Sequence, residues 1–160
     1  MLELYFPRIE ELRFRRKMLE DVDTMSYNHA YGGTIDFPET AWPDWYDCWV
    51  LHPERRFYRY LRDAGSGEVV GEVAYYFDGE KHKVSLIVCA PYRNRGYGTE
   101  GLRLLCDAAR ENGIDMLFDD IAADNLKAVR LFLSSGFTEE YRTDELIMVK
   151  KDLHSRIEET

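Results

Sequence analysis

"VSLIVCAPYRNRGYGTEGLRLL", Val84 to Leu105, is the stretch that decides how this chain is read. Its end, "GYGTEG" (Gly96 to Gly101), spells G-x-G-x-x-G, the turn that cradles a dinucleotide. The acids Asp119 and Asp120 follow roughly 20 residues on, where such a fold holds a ribose. The residues before the glycines argue otherwise. In a dinucleotide fold the strand runs almost directly into the first glycine. Here the apolar strand stops at Ala90 and "PYRNR" intervenes, bringing Arg93 and Arg95. The chain after Gly101 is also too short for a second nucleotide-binding half, and it ends in strands of antiparallel pattern. The loop reads better as an anion site. Backbone N–H groups enter a helix N-terminus, glycines permit close approach, and two arginines add charge. The ligand should carry phosphates, with the rest of it lying along the strand before the loop.

Outward from the loop the chain resolves into alternating elements. "LELYF" reads as a first strand closed by Pro7, and "RIEELRFRRKMLED" as an amphipathic helix with Ile9, Leu12, Arg16 and Leu19 on one side. An aromatic block follows. Within it Trp42, Trp45, Tyr46 and Trp49 repeat at helical spacing, with Thr40 as the cap and Pro43 tolerated in the first turn. "FYRYLRD" and "VVGEVAYYF" flank the turn "AGSGE", and Asp78-Gly79 centres the next turn. "VSLIVCA", apolar on both faces, predicts a central strand covered on both sides. "GTEGLRLLCDAAREN" predicts a helix that buries Leu102, Leu105, Cys106 and Ala109 and ends at Gly113. "MLFDDIAA" is a strand with the acid pair in its middle. "NLKAVRLFLSS" is a short helix aligning Ala128, Leu131, Phe132 and Ser135, and "FTEEYRT" and "LIMVKKDL" are closing strands. The order β-α-α-β-β-β-α-β-α-β-β predicts an α/β (mixed α+β) fold, one domain over residues 1–160, with helices on both faces of a mixed sheet.

Composition excludes several classes. With 45% hydrophobic and 32% charged residues the chain reads as globular. A net charge of -9 argues against a nucleic-acid partner and weakly favours a cationic acceptor. Cys48, Cys89 and Cys106 are odd in number and lack metal-ligand spacing, so reduced thiols in a cytoplasmic protein, and no metal, are expected. The charged N-terminus is no secretory signal, and the longest apolar run, "SLIVCA", is only a strand long, so no membrane partner is expected.

Two blocks carry a family resemblance. "VSLIVCAPYRNRGYGTEGLRLL" resembles the acetyl-CoA loop of the GNAT superfamily of N-acetyltransferases, with Arg93, Gly96 and Gly98 on the motif. "DNLKAVRLFLSSGF" resembles the family's Asn-x-x-Ala…Gly-Phe helix through Asn125, Ala128, Gly136 and Phe137. The "TE" of "GYGTEG" is shared with the branch resembling ribosomal-protein N-terminal acetyltransferases. The resemblance implies a mostly antiparallel sheet of about seven strands. It implies acetyl-CoA as co-substrate and direct attack of a primary amine, from a small molecule or a peptide, on the thioester. Many relatives pair, so the resemblance also implies a homodimer.

Under that resemblance, Ile87, Val88 and Cys89 lie along the pantetheine, with an N–H near Val88 for the oxyanion. Arg93, Asn94, Arg95, Gly96, Tyr97, Gly98 and Thr99 surround the pyrophosphate. Asn125 bonds the pantetheine or holds its helix, and Phe132 occupies the position where relatives often place a tyrosine that protonates the thiolate. A phenylalanine has no hydroxyl, which leaves a non-catalytic acyl-CoA-binding regulatory protein as the alternative. Glu72, sharing a strand face with Val70, Ala74 and Tyr76, is the candidate base, and Ser85 a second catalytic candidate. His29, Tyr31 and Trp45 are candidate acceptor contacts, the aromatics by stacking on a cation. Cys89 reads as packing rather than nucleophile.

Overall fold

The computed structural model describes residues 1–53 and 55–154. β1 (Leu2–Tyr5) leads through a 3₁₀ turn into α1 (Leu12–Glu20). A 3₁₀ segment (Thr24–Tyr31) and a second short turn precede α2 (Trp42–Trp49). β2 (Arg56–Asp63), β3 (Val69–Phe77) and β4 (His82–Val88) form a meander, and α3 (Tyr97–Glu111) follows the glycine loop. β5 (Met116–Ala122), α4 (Leu126–Ser134), β6 (Thr138–Arg142) and β7 (Leu146–Asp152) complete the expected order.

The seven strands stand in the order β1-β2-β3-β4-β5-β7-β6. Every pairing is antiparallel except β4 with β5. Both faces are covered. On one, Leu102, Leu105, Cys106 and Ala109 of α3 and Val129 and Phe132 of α4 pack on Val73, Tyr75, Val84, Leu117, Ile121 and Val149. On the other, Leu12 and Leu19 of α1 and Trp42 of α2 pack with Met25, Phe37, Ile87 and Cys89. This is why β4 carries apolar residues on both faces.

The parallel junction shapes the molecule. β3 and β4 are in register from Gly71↔Val88 to Phe77↔His82. β4 and β5 meet only at Lys83↔Phe118. Beyond that point the two strands diverge, and the N-terminal ends of α3 and α4 border the wedge. Gly101 brings α3 close to the sheet, for a Cβ there would lie 2.7 Å from Leu61 Cδ1.

Local details differ from the sequence expectation. The first helix opens as a 3₁₀ turn (Ile9–Glu11), and its buried residues are Leu12, Met18 and Leu19; Arg16 reaches solvent. Thr40 does not cap α2; it lies inside a 3₁₀ turn (Glu39–Ala41). α4 buries Val129 and Phe132, while Ala128, Leu131 and Ser135 are only partly buried.

Candidate active site

The glycine loop forms one wall of a groove of about 590 Å³. Gly96 caps α3 in the left-handed region (φ 82°), and Asn94 also takes a positive φ (64°), which asparagine tolerates. The first N–H groups of α3, at Tyr97, Gly98 and Thr99, have no carbonyl one turn back and point out of the helix end. Ile87, Val88, Arg93, Asn94, Gly96, Tyr97, Gly98 and Thr99 line the groove, as do Ser26, Tyr27 and His29. From α4, Asn125, Lys127, Ala128 and Leu131 form the facing wall. Lys127 Nζ donates to Asn94 Oδ1 at 2.6 Å and so ties the two walls together.

Several predicted residues take other positions. The Arg93 guanidinium donates to the backbone carbonyls of Val88 (3.2 Å), Asp23 (3.1 Å) and Thr24 (2.6 Å). It stitches the end of β4 to the 3₁₀ segment while edging the groove. Arg95 stands over the Tyr92 ring at 5.7 Å, beside the groove rather than in its wall. Cys89 is buried, its N–H donates to Val70 O at 2.9 Å, and burial and the Glu72 carboxylate push its thiol up to about 11. Strand alternation then turns the Val88 and Leu86 N–H groups toward the wedge. Asn125 caps α4, accepting from the Ala128 N–H at 3.3 Å.

A second cavity, about 640 Å³, lies across the wedge. Its walls include Glu72, Ala74 and Tyr76 of β3, Ser85 of β4, Asp119 and Asp120 of β5, Phe132 of α4, and Tyr31 and Trp45. The two cavities share Tyr27, Leu86, Asn125 and Ala128. Tyr31 is 87% exposed at the mouth. His29, expected at the acceptor side, instead lines the first groove, with Nε2 3.6 Å from Asp124 Oδ2.

Glu72 is 2% exposed, on a central strand. Its Oε1 accepts the Tyr58 hydroxyl at 2.6 Å and lies 3.1 Å from Arg15 Nε. The Arg15 contact is an ion pair without hydrogen-bond alignment, which leaves that Nε without a hydrogen-bond partner. The guanidinium also lies over Trp45 (4.3 Å) and Phe37 (4.6 Å), so one face of Trp45 is already occupied by a cation. Burial opposes the charge on Arg15, but Glu72 and Tyr58 outweigh it and raise its affinity for the proton. Burial and Glu72 push the Tyr58 phenol well up and the Tyr27 phenol to about 12.

Sequence reasoning gave Arg15, Tyr58 and Asp119 no role. Arg15 stands in a run of bases, "RFRRK", and only its place on the inward side of α1 sets it apart. Asp119 alternates with Leu117 and Ile121, two core residues, and this polar residue at an apolar position was the available signal. Burial and then Asp120 push its carboxyl well above the ordinary range, against the backbone N–H of Asp120 and Lys83. Among the described residues no group of three or more His, Cys, Asp or Glu is arranged to hold a metal. No helix there is long and apolar enough to cross a membrane.

This fold, with a helix N-terminus opening on a split sheet, is that of acyl-CoA-dependent transferases of the GNAT type. The chain matches the acetyltransferase (GNAT) family over residues 17–137, and it belongs to that family. It is 30% identical over 88 residues to the uncharacterized N-acetyltransferase YobR of Bacillus subtilis (strain 168). That match takes in 55% of this chain and 35% of the relative's length. Among solved structures, spermidine N-acetyltransferase from Vibrio cholerae in complex with CoA and spermine superposes with a TM-score of 0.81 at 16% identity, covering 98% of each chain. AAC(6')-Ib in complex with ribostamycin and coenzyme A gives 0.80 at 17% identity, covering 100% of this chain and 97% of the other.

Proposed function

We propose that the chain transfers the acetyl group of acetyl-CoA directly to a primary amine. One observation carries this reading: the two cavities meet at Tyr27, Leu86, Asn125 and Ala128, so two ligands can touch there. The pyrophosphate rests on the N–H groups of Tyr97, Gly98 and Thr99, and the pantetheine extends along Ile87 and Val88. A wedge-facing N–H at Val88 or Leu86 receives the oxyanion, a contribution of about 3 kcal/mol for such a donor. Holding amine and thioester together supplies much of the remainder. Glu72 meets the acceptor's positive charge from the sheet floor, with Ser85 beside it. Trp45 and Tyr31 bound the acceptor. Reduced thiols support a cytoplasmic location.

Release of free CoA thiol from acetyl-CoA, followed over a panel of spermine, ribostamycin, lysine and a peptide with a free N-terminus, tests the proposal. Amine-dependent release is expected for at least one class. Tight CoA binding with no release for any amine would leave a binding protein instead, the reading that Phe132 favours.

A further inference from the structure

Phe132 is 4% exposed and packs edge-on against Phe137 at 5.0 Å. It brings no proton to the place where the thioester's sulfur leaves. The cavity it lines holds a carboxyl that can. Asp119 comes from β5, on the strand face it shares with Leu117 and Ile121, and those two pack in one cluster with Phe132. The side chain is half-buried, and the backbone N–H of Asp120 only partly offsets the rise that burial and the Asp120 carboxylate impose. Lys83, whose charge acts on Asp119 at a distance, is already engaged by Asp78 at 3.2 Å and Asp120 at 3.7 Å. The Tyr76 phenol of β3 and the Tyr27 phenol of the 3₁₀ segment also feel the Asp119 charge. α4 presents Ala128 and Phe132, and β7 presents Val149 opposite Asp119.

We propose that Asp119 is a catalytic residue, the proton donor to the sulfur that leaves when acetyl is transferred. The inference rests on the acetyl-transfer reading and adds to it the group that completes the proton balance. Attack of the amine nitrogen on the thioester carbon forms the C–N bond and leaves an oxyanion and an N–H⁺. As the carbonyl re-forms, the C–S bond breaks with its electron pair going to sulfur. The Asp119 carboxyl gives its proton to that sulfur. The nitrogen's surplus proton then restores the carboxyl, so amine and thioester become amide and thiol with nothing left over. Burial suits Asp119 to this role by keeping the proton on it above the ordinary carboxylate range. Tyr27, which both cavities share, carries the hydroxyl at the junction, and that phenol is pushed up to about 12. A thiol ionises near ~8.5, so transfer from that phenol runs uphill.

Four full-length variants test this with the amine that the panel identifies: Asp119→Asn, Tyr27→Phe, Phe132→Tyr and the double variant Asp119→Asn/Phe132→Tyr. Thiolates leave readily, so the expected loss of kcat in Asp119→Asn is about 10- to 100-fold, at the low end for general acids. KM for acetyl-CoA should stay within about threefold, as expected when only a transition-state interaction is lost. Wild-type kcat should fall as pH rises past the ionisation of Asp119, and Asp119→Asn should lack that limb. A tyrosine at 132 in the Asp119→Asn background should restore roughly tenfold of the loss, since it returns a proton to the same sulfur. A second readout needs no acceptor. The Asp119 carboxyl carbon, assigned by its disappearance in Asp119→Asn, is titrated by NMR with CoA and with desulfo-CoA. Its ionisation should move with CoA and much less with desulfo-CoA. An intact alkaline limb in Asp119→Asn, transfer of that phenotype to Tyr27→Phe, or equal carboxyl shifts with both ligands would each overturn the proposal. If CoA binds but no amine is acetylated, the transfer reading fails, and the NMR comparison still decides whether Asp119 adjoins the sulfur. Failure to bind CoA would remove both.

Discussion

Glu72 and Asp119 both line the second cavity, from β3 and β5, and their surroundings differ. Glu72 has a phenol and a guanidinium converging on Oε1. Asp119 has an acid for a neighbour, and burial and that acid together hold its carboxyl well above the ordinary range. The two should therefore move stability in opposite directions when neutralised. A carboxyl whose folded pKa is raised contributes stability that is fully present below its unfolded value, near ~3.9, and lost as pH rises toward the folded value. Asp119→Asn should accordingly melt higher than wild type at pH 7.5, with the gap closing below about pH 4. Glu72→Gln leaves Arg15, with 16% of its side chain exposed, uncompensated. Breaking a buried pair in this way typically costs about 3–5 kcal/mol. Urea unfolding at pH 7.5 and thermal melts across pH 3.5–8 read both effects. A lower melting point for Asp119→Asn at neutral pH would mean that its carboxyl is held by partners, and would count against its strain. The expected combination is a variant that is more stable and slower, as when a functional site is kept at the expense of stability.

Two glycines of α3 separate binding from packing at the scale of the element. A Cβ on Gly98 would lie 3.2 Å from Leu131 Cδ2, across the groove on α4. A Cβ on Gly101, one turn later, would lie 2.7 Å from Leu61 Cδ1 in the core. Gly98→Trp should fill the groove and weaken CoA binding by about 100-fold or more in a calorimeter, with the circular dichroism spectrum kept. Gly101→Val should instead overpack the core and cost about 1–3 kcal/mol in urea, leaving affinity within a few fold. Equal effects of the two on affinity would place the phosphate end elsewhere. The sequence made this division readable, because "PYRNR" displaced the motif and left Gly101 as a packing residue. The order of all eleven helices and strands was readable for the same reason: apolar period and turn residues agree along the chain. What escaped was tertiary. Arg93 carries the charge the loop was expected to offer, yet two of its three donors go to carbonyls of a segment about 70 residues away, Asp23 and Thr24, and the third to Val88 of β4. Glu72 was placed on the right face, but its partners come from α1 and β2, and no spacing rule joins Arg15 or Tyr58 to it. Asp119 was placed mid-strand and given no role, because alternation marks a residue as inward without saying that inward is a cavity.

The whole molecule is two sheet segments hinged at one register pair. β1 to β4 carry α1 and α2, β5 to β7 carry α4, and Lys83↔Phe118 is the β-bridge where β4 meets β5. Polar contacts that span the wedge beyond it include Lys127 to Asn94 and His29 to Asp124. A ligand that occupies the wedge therefore replaces the strand pairing missing there, and its binding energy should appear as folding stability. Linkage gives about 2.7 kcal/mol at 100 times Kd. At about 2–4 °C per kcal/mol for a chain of this size, acetyl-CoA should raise the melting temperature by roughly 5–10 °C. NAD and FAD should not, although "GYGTEG" fits their fingerprint letter for letter, because the loop feeds a split mixed sheet rather than a parallel one. Hydrogen exchange should locate the gain: amides of residues 86–99 and the first turn of α4 slow with acetyl-CoA, while the outer pairing of β1 with β2 is unchanged. A uniform slowing over all seven strands would mean general stabilisation without bridging. No thermal shift at millimolar acetyl-CoA would show that the wedge does not take the ligand its geometry fits.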